Sequence, residues 1–214
     1  MHSRKIALIV EYEGTRYHGF QIQGDVPTIQ GELEGALFRL TGEGVRIACA
    51  SRTDAGVHAK GQVVGFTTRC PLSLHTFVSG LNHYLPQDIA VRRALAVREG
   101  FDVRRSAHSR EYCYYVLNSP APSPLLRRGA YFVPQPLDVE AMRQACLVLV
   151  GRHDFAPFAS SWDGGRNTVR TVYKAGIEKE GDVIAFHMVA NSFLPHQVRN
   201  TVGVLVRLGL GGIS

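Results

Sequence analysis

Apolar positions change period along the chain, and each change marks an element. Ile6-Ala7-Leu8-Ile9-Val10 is a short unbroken apolar run stopped by Glu11, which predicts a buried strand over Arg4–Tyr12. A polar, glycine-containing loop follows. Ile29, Leu33, Leu37 and Leu40 then recur at helical spacing, with Thr28 placed to cap the first turn and Gly42 to stop the last, so Thr28–Thr41 reads as a helix. Val45–Ala50 and Gly61–Thr68 read as strands flanking a turn at Arg52–Gly56. Ser73–Leu85 carries Leu74, Phe77, Val78, Leu81 and Leu85 and ends at Pro86, a second helix; Ile89–Val97 is again a strand. The first half therefore runs β-α-β-β-α-β, the ferredoxin-like order.

The same order restarts at a strand over Tyr112–Asn118. A Pro-rich stretch, Ser119 to Pro136, reads as a linker or crossing loop. Asp138–Val150 is a helix with Val139, Met142, Cys146 and Leu149 on one face, Val169–Glu178 and Val183–Ala190 form a hairpin, and Pro195–Leu208 is a last helix with Val198, Val202 and Leu205 at helical spacing. The internal pattern calls for a sixth strand after that helix, and it is missing. The expectation is an α+β protein of two ferredoxin-like halves, residues 1–105 and 106–214, forming one broad antiparallel sheet with helices on one face. Lacking its closing strand, the second half should expose a sheet edge and part of the apolar face made by Val198, Val202 and Leu205.

Composition agrees with a folded chain: 45% of the 214 residues are apolar and 20% charged. The apolar run near the N-terminus is too short for a signal segment or a membrane span. Cys49, Cys70, Cys113 and Cys146 lie far apart without CxxC pairing, which excludes the common zinc and redox motifs and fits a reducing cytoplasm. Net charge is +6, the footprint of a phosphate-rich partner. Of the 24 basic residues only Lys5, Lys60, Lys174 and Lys179 are lysine. Arginine makes planar, bidentate contacts with phosphate and stacks on bases, although a base-composition bias of the genome gives the same skew. Histidines show no ligand spacing such as HExxH, and no phosphate-binding or dinucleotide fingerprint is present.

Chemistry-bearing residues are densest over Ser51-Arg52-Thr53-Asp54-Ala55-Gly56-Val57-His58-Ala59-Lys60-Gly61-Gln62-Val63. Here a carboxylate sits at a turn between two apolar strands. By local physics Asp54 makes an Asx-type turn with Gly56 supplying a positive φ, and a catalytic carboxylate is the alternative.

This stretch closely resembles the signature Gly-Arg-Thr-Asp-Ala-Gly-Val-His-Ala of the bacterial tRNA pseudouridine synthase A family. Three further segments resemble that family in order: Tyr12-Glu13-Gly14-Thr15-Arg16-Tyr17-His18-Gly19-Phe20-Gln21-Ile22-Gln23 its opening loop, Ser109-Arg110-Glu111-Tyr112-Cys113-Tyr114-Tyr115 the strand with its substrate-binding tyrosine, and Phe193-Leu194-Pro195-His196-Gln197-Val198-Arg199-Asn200 its late helix start. Thr28-Ile29-Gln30-Gly31-Glu32-Leu33-Glu34 is similar to its first helix. The resemblance implies a cofactor-independent isomerase that detaches uracil from its ribose, turns it and rejoins it through carbon, on a flipped nucleotide. It implies Asp54 as the catalytic carboxylate, whether as nucleophile or base, and Tyr112 as a residue stacking on the target base. Arg199 would pair with Asp54, and Arg52 would fill the gap left by the flipped nucleotide. Arg199 lies near a helix start, where a cation opposes the helix dipole by roughly 0.3–1 kcal/mol, and a carboxylate partner would offset that. Strand alternation puts Tyr112 and Tyr114 on one face and Tyr115 on the other, so at least one of these tyrosines serves packing.

The resemblance also implies tRNA as partner, uridines 38 to 40 of the anticodon arm as targets, a homodimer, and neither a metal nor a membrane. Arg92, Arg93, Arg104, Arg105, Arg110, Arg127, Arg128, Arg166 and Arg170 are candidates for the RNA path. Ser51 stands where the family usually has Gly, and Cys113 where Arg is common. A closing strand with a Gly-Leu-Tyr-Leu-like segment, usual in the family, is absent. The rival reading is a non-catalytic RNA-binding module of the RRM type, which shares the strand order; its aromatic consensus is missing, and the Arg-Thr-Asp turn is present. A hydrolase using Asp54 as base would need a second carboxylate or a metal cluster, and none stands out in the sequence.

Overall fold

A computed structural model describes residues 3–160 and 167–212. The chain divides into two compact units, Met1–Ala107 and His108–Ser214. The strands hydrogen-bond as two sheets, one in each unit, where a single broad sheet was expected; the α+β class stands.

In the first unit the elements are β1 (Arg4–Tyr12), α1 (Ile29–Thr41), β2 (Ala48–Cys49), β3 (Ala59–Thr68), α2 (Leu74–Tyr84) and β4 (Ile89–Val97). The sheet order is β2-β3-β1-β4 with every pair antiparallel, the ferredoxin-like arrangement. Register puts Ile6 opposite Phe66 and Leu8 opposite Val64, so the apolar side chains of β1 and β3 share one face. Ile29, Leu33 and Leu37 of α1 and Phe77 and Leu81 of α2 cover that face, all buried. The helix ends are set by the residues read from sequence. Thr28 Oγ1 accepts from Gly31 N at 3.2 Å, and Gly42 closes α1 at φ 72° with its N–H on Phe38 O. Ser73 caps α2 through Thr76 N. Strand β2 shrinks to two residues from the six expected.

The second unit holds β5 (Arg110–Asn118), β6 (Tyr131–Val133), α3 (Val139–Leu147), β7 (Gly151–Asp154), a 3-10 turn at Ala156–Phe158, β8 (Val169–Glu180), β9 (Val183–Ala190) and α4 (Gln197–Gly209). Its sheet runs β6-β5-β9-β8-β7. The run β5-β9-β8 repeats the β1-β3-β2 order of the first unit. The flank of β5 that corresponds to the place of β4 is taken, over Val116–Asn118, by β6 in parallel pairing. Strand β6 comes from inside the Ser119–Pro136 stretch expected to be a connector.

One expectation is corrected here. The apolar face of α4 is not uncovered: Val202 is 2% and Leu205 5% exposed, and both pack with Met142, Cys146, Ile184 and Phe186. Val198 packs against the same core. Helix α3 and the sheet supply that cover, and α4 and α3 approach closely enough that a Cβ at Gly209 would collide with the Met142 thioether. Burial in this core pushes the Cys146 thiol up to about 11, so it behaves as a small apolar side chain.

Leu205→Ala should therefore cost about 2–4 kcal/mol of unfolding free energy in a urea titration, the range for a cavity left in a packed core. Val204→Ala, at a position 41% exposed, should stay within about 0.5 kcal/mol. Equal, small effects at both positions would mean that α4 lacks the packing described.

Candidate active site

Asp54 lies in the loop between β2 and β3, and the loop's shape follows from its own residues. Asp54 O accepts from Val57 N at 3.2 Å, closing a four-residue turn. Gly56, third in that turn, takes φ 78°, which a side chain would resist. The expected turn with a positive φ at Gly56 is present, closed through the main-chain carbonyl of Asp54 where an Asx-type side-chain bond was expected, and Asp54 is exposed to solvent, as is Arg52.

What fixes this loop in space is the segment after β1. Phe20 N donates to Thr53 O at 3.0 Å and Gly56 N donates to Tyr17 O at 3.2 Å, so main chain meets main chain on both sides of Asp54. Gly14 N donates to His58 Nδ1 at 3.1 Å, which makes Nδ1 an acceptor and places the proton of the neutral ring on Nε2. Such close approach needs glycine. A Cβ at Gly19, whose φ is 88°, would stand 2.7 Å from Thr53 O, and one at Gly14 would collide with Val57 O. From below, the Tyr12 hydroxyl at the end of β1 shares a hydrogen bond with Thr53 Oγ1 at 2.8 Å, and Gln62 Nε2 donates to Ser51 O at 2.6 Å.

The opening loop is anchored in turn. Ile29 N and Gln30 N at the start of α1 donate to Gly19 O and Phe20 O. The nearly buried Tyr17 donates its hydroxyl to Asp88 Oδ1 at 2.7 Å, and Arg16 Nε donates to Asp88 Oδ2 at 2.8 Å. Burial is the main cause that raises the Tyr17 pKa, with the Asp88 hydrogen bond and charge adding to it, so the phenol stays protonated and donating. Arg52 and Arg104 bring positive charge to the same end of the unit: both oppose the upward shift that burial imposes on the Cys49 thiol.

In the second unit Tyr112 sits on β5 opposite Met188 of β9, half-buried, its ring edge-on to Phe193 with centroids 4.8 Å apart at 71°. Tyr114, two residues on and on the same face, has its pKa raised by burial, and the positive charge of Arg199 opposes the shift. Tyr112, Phe193, Tyr114 and Arg199 thus gather at one end of β5 and α4. Arg199 is exposed, at the third residue of α4. The helix starts without a side-chain cap: His196 takes the left-handed φ of 59°, and Gln197 Oε1 reaches back to accept from Leu194 N at 2.9 Å. Among the described residues His196 is the one non-glycine at positive φ. Arg199 thus follows a strained and tightly held turn.

The arginines read as an RNA path separate into two kinds. Arg110 donates to Asn191 O, and the half-buried Arg170 donates to Asn167 O and Val169 O, so both are engaged with their own unit's backbone. Arg92, Arg93, Arg104, Arg105, Arg127 and Arg128 are exposed, with Arg92 3.5 Å from Glu11 Oε2 and Arg127 donating to Pro124 O. Arg166 lies outside the described residues. Among the described residues no group of three His, Cys, Asp or Glu is placed to hold a metal ion, and no helix is long and apolar enough to cross a membrane.

Gly14, Gly19, Tyr12, Gln62, His58 and Asp88 were not singled out from sequence as parts of the site. Two glycines five residues apart, facing a carboxylate turn, were the available signal.

A family model described as tRNA pseudouridine synthase matches residues 8–104 and 145–214. The tRNA pseudouridine synthase A of Myxococcus xanthus is 46% identical over 208 residues, covering 97% of this chain and 78% of that protein. The enzyme of the same name from Roseiflexus castenholzii is 47% identical over 215 residues, covering 99% and 79%, and that of Acetivibrio thermocellus 40% over 210 residues, covering 98% and 86%. With a family model matched over most of its length and relatives of this identity, the chain belongs to the tRNA pseudouridine synthase family.

Proposed function

We propose that this protein isomerises uridine to pseudouridine in the anticodon arm of tRNA, at positions 38 to 40, with Asp54 as the catalytic carboxylate. The observation that carries the reading is a solvent-facing Asp54 held by main-chain hydrogen bonds on both sides, in a chain of this family. The reaction breaks the bond from ribose C1′ to N1 of uracil and forms one from C1′ to C5. N1 gains a proton and C5 loses one, so nothing is oxidised and no cofactor is needed. The target must leave the base stack, and flipping costs a few kcal/mol that contacts to the flipped base and the phosphates have to offset. A carboxylate acting on C1′ or on the ring works best from a fixed position, because misplacement of about 1 Å costs on the order of a hundredfold in rate.

In this reading Tyr112 stacks on the flipped base, backed by Phe193, and Arg199 is the cation that pairs with Asp54. Arg52 fills the space the base vacates. The exposed arginines hold phosphates. The protein works as a homodimer in the cytoplasm. The rival, a non-catalytic RNA-binding module, shares the strand order of the first unit but gives no role to the clamped Asp54 turn.

Three outcomes test this. Asp54→Asn keeps the turn's size, since the turn uses the Asp54 carbonyl, and removes the charge. Pseudouridine formation on unmodified tRNA should fall by on the order of a thousandfold or more, with tRNA affinity and unfolding free energy changed by less than about 1 kcal/mol. Substantial activity in that variant would sink the assignment. Gly19→Ala forces a Cβ toward Thr53 O at a positive φ and should destabilise the protein by about 1–3 kcal/mol while lowering kcat more than it raises KM, read by steady-state assay. Affinity for tRNA, measured by filter binding, should drop about tenfold or more between about 50 and 200 mM salt, as expected when several phosphates are neutralised. A flat salt profile would contradict phosphate binding by the exposed arginines.

A further inference from the structure

A recess of about 320 Å³ opens in the second unit between β5, β6 and the turn segment that joins them, lined chiefly by Leu117, Pro122, Leu126, Arg127, Tyr131 and Phe132. Nothing in the mechanism above uses it. It also lies within residues 105–144, between the two stretches that the family model matches. The lip is unusual for a soluble surface: Leu125 is 94% exposed and Tyr131 55%, directly beside the exposed Arg127 and Arg128.

The segment is built rather than loose. Leu126 N donates to Ser123 O, Gly129 N and Ala130 N to Leu126 O, and the Arg127 guanidinium to Pro124 O at 3.3 Å. Its far end is pinned where β6 pairs with β5 and where Asn118 Nδ2 donates to Val133 O and Gln135 O. One donor of Arg127 is spent on Pro124, and a guanidinium has five.

We propose that this recess is a second nucleotide subsite, which takes one unstacked base of the RNA and sets its phosphate on Arg127 and Arg128. The proposal rests on the tRNA-modifying reading above and adds to it a site on the second unit. Charge decides the occupant. From Ser119 to Pro136 the chain has two arginines and no acidic residue, so the segment that forms the apolar lining carries a net positive charge. An aromatic side chain with adjacent arginines is the composition that binds single-stranded nucleic acid, the base stacking on the ring and the cation meeting the backbone. The core of an interface between protein copies is instead depleted of charge. The volume is in the range of small-ligand sites, enough for one base and too small for a helix.

The test uses the whole chain and a tRNA transcript carrying 4-thiouridine. After irradiation and digestion, mass spectrometry should place an adduct on the peptide containing Tyr131 and Phe132. Tyr131→Ala should raise the Kd for tRNA about tenfold. Arg127→Gln should reduce the slope of log affinity against log salt by about one. Both side chains are exposed, so neither substitution threatens the fold. Absence of an adduct on residues 117–132 together with unchanged Kd and slope would overturn the subsite. So would a sedimentation profile in which Tyr131→Ala abolishes self-association while tRNA affinity stays the same, since the recess would then be a contact between copies. Pseudouridine is read in the same wild-type samples. If it forms without an adduct here, only the subsite fails; an adduct here without pseudouridine sinks the synthase reading and leaves the subsite standing.

Discussion

The contact on which the rest depends is backbone against backbone, where the loop after β1 lies along the loop that carries Asp54. Two N–H···O bonds, from Phe20 to Thr53 and from Gly56 to Tyr17, bracket the carboxylate, and the approach is possible only because Gly14 and Gly19 present no Cβ. Side chains carry little of this. Tyr12 and Gln62 reach the loop from the sheet, while Asp88 gathers Tyr17 and Arg16 behind it. The result is a functional loop whose position is inherited from β1, β3 and the start of α1, elements with the most buried side chains in their unit.

Much of this architecture was legible in the sequence because it rests on local rules. Thr28, Gly42 and Ser73 mark helix ends by capping chemistry, and the unbroken apolar run Ile6–Val10 marks β1 as a buried strand. Other features were not legible because they depend on partners far along the chain. Strand β6 is three residues long and owes its existence to the flank of β5, not to its own pattern. The face of α4 looked unprotected because the internal pattern called for a further strand that was missing. Its cover comes from α3 and the sheet, which pattern alone does not dock against a helix. For the site, Asp54 stood out through the company it keeps in the motif, whereas local physics favoured a turn former. The turn uses the main-chain carbonyl of Asp54, and the residue itself is exposed to solvent.

Charge follows a division of labour that composition could not resolve. Arg110 and Arg170 are spent on backbone carbonyls, which holds strand ends in place. The arginines on β4, after it, and beside β6 keep their guanidiniums at the surface. Arg199 combines the two situations: its charge acts on the half-buried Tyr114, yet its side chain is exposed at a helix start where the dipole disfavours it. A cation in that position, three residues after the left-handed His196, sits where both the helix dipole and the backbone cost stability.

The clamp on the Asp54 loop has a consequence for how the enzyme fails. Surface loops usually open on their own, at little free-energy cost, long before the fold they decorate. This one cannot open without also releasing the amides of Phe20 and Gly56, the Tyr12–Thr53 link and the entry into α1. Its opening is thereby folded into the cooperative unit of the first sheet, and amide exchange at Phe20 and Gly56 should be as slow as in β1. The geometry of the Asp54 loop and the folded structure would then be lost together on heating, leaving no temperature range in which the chain is folded with that loop adrift.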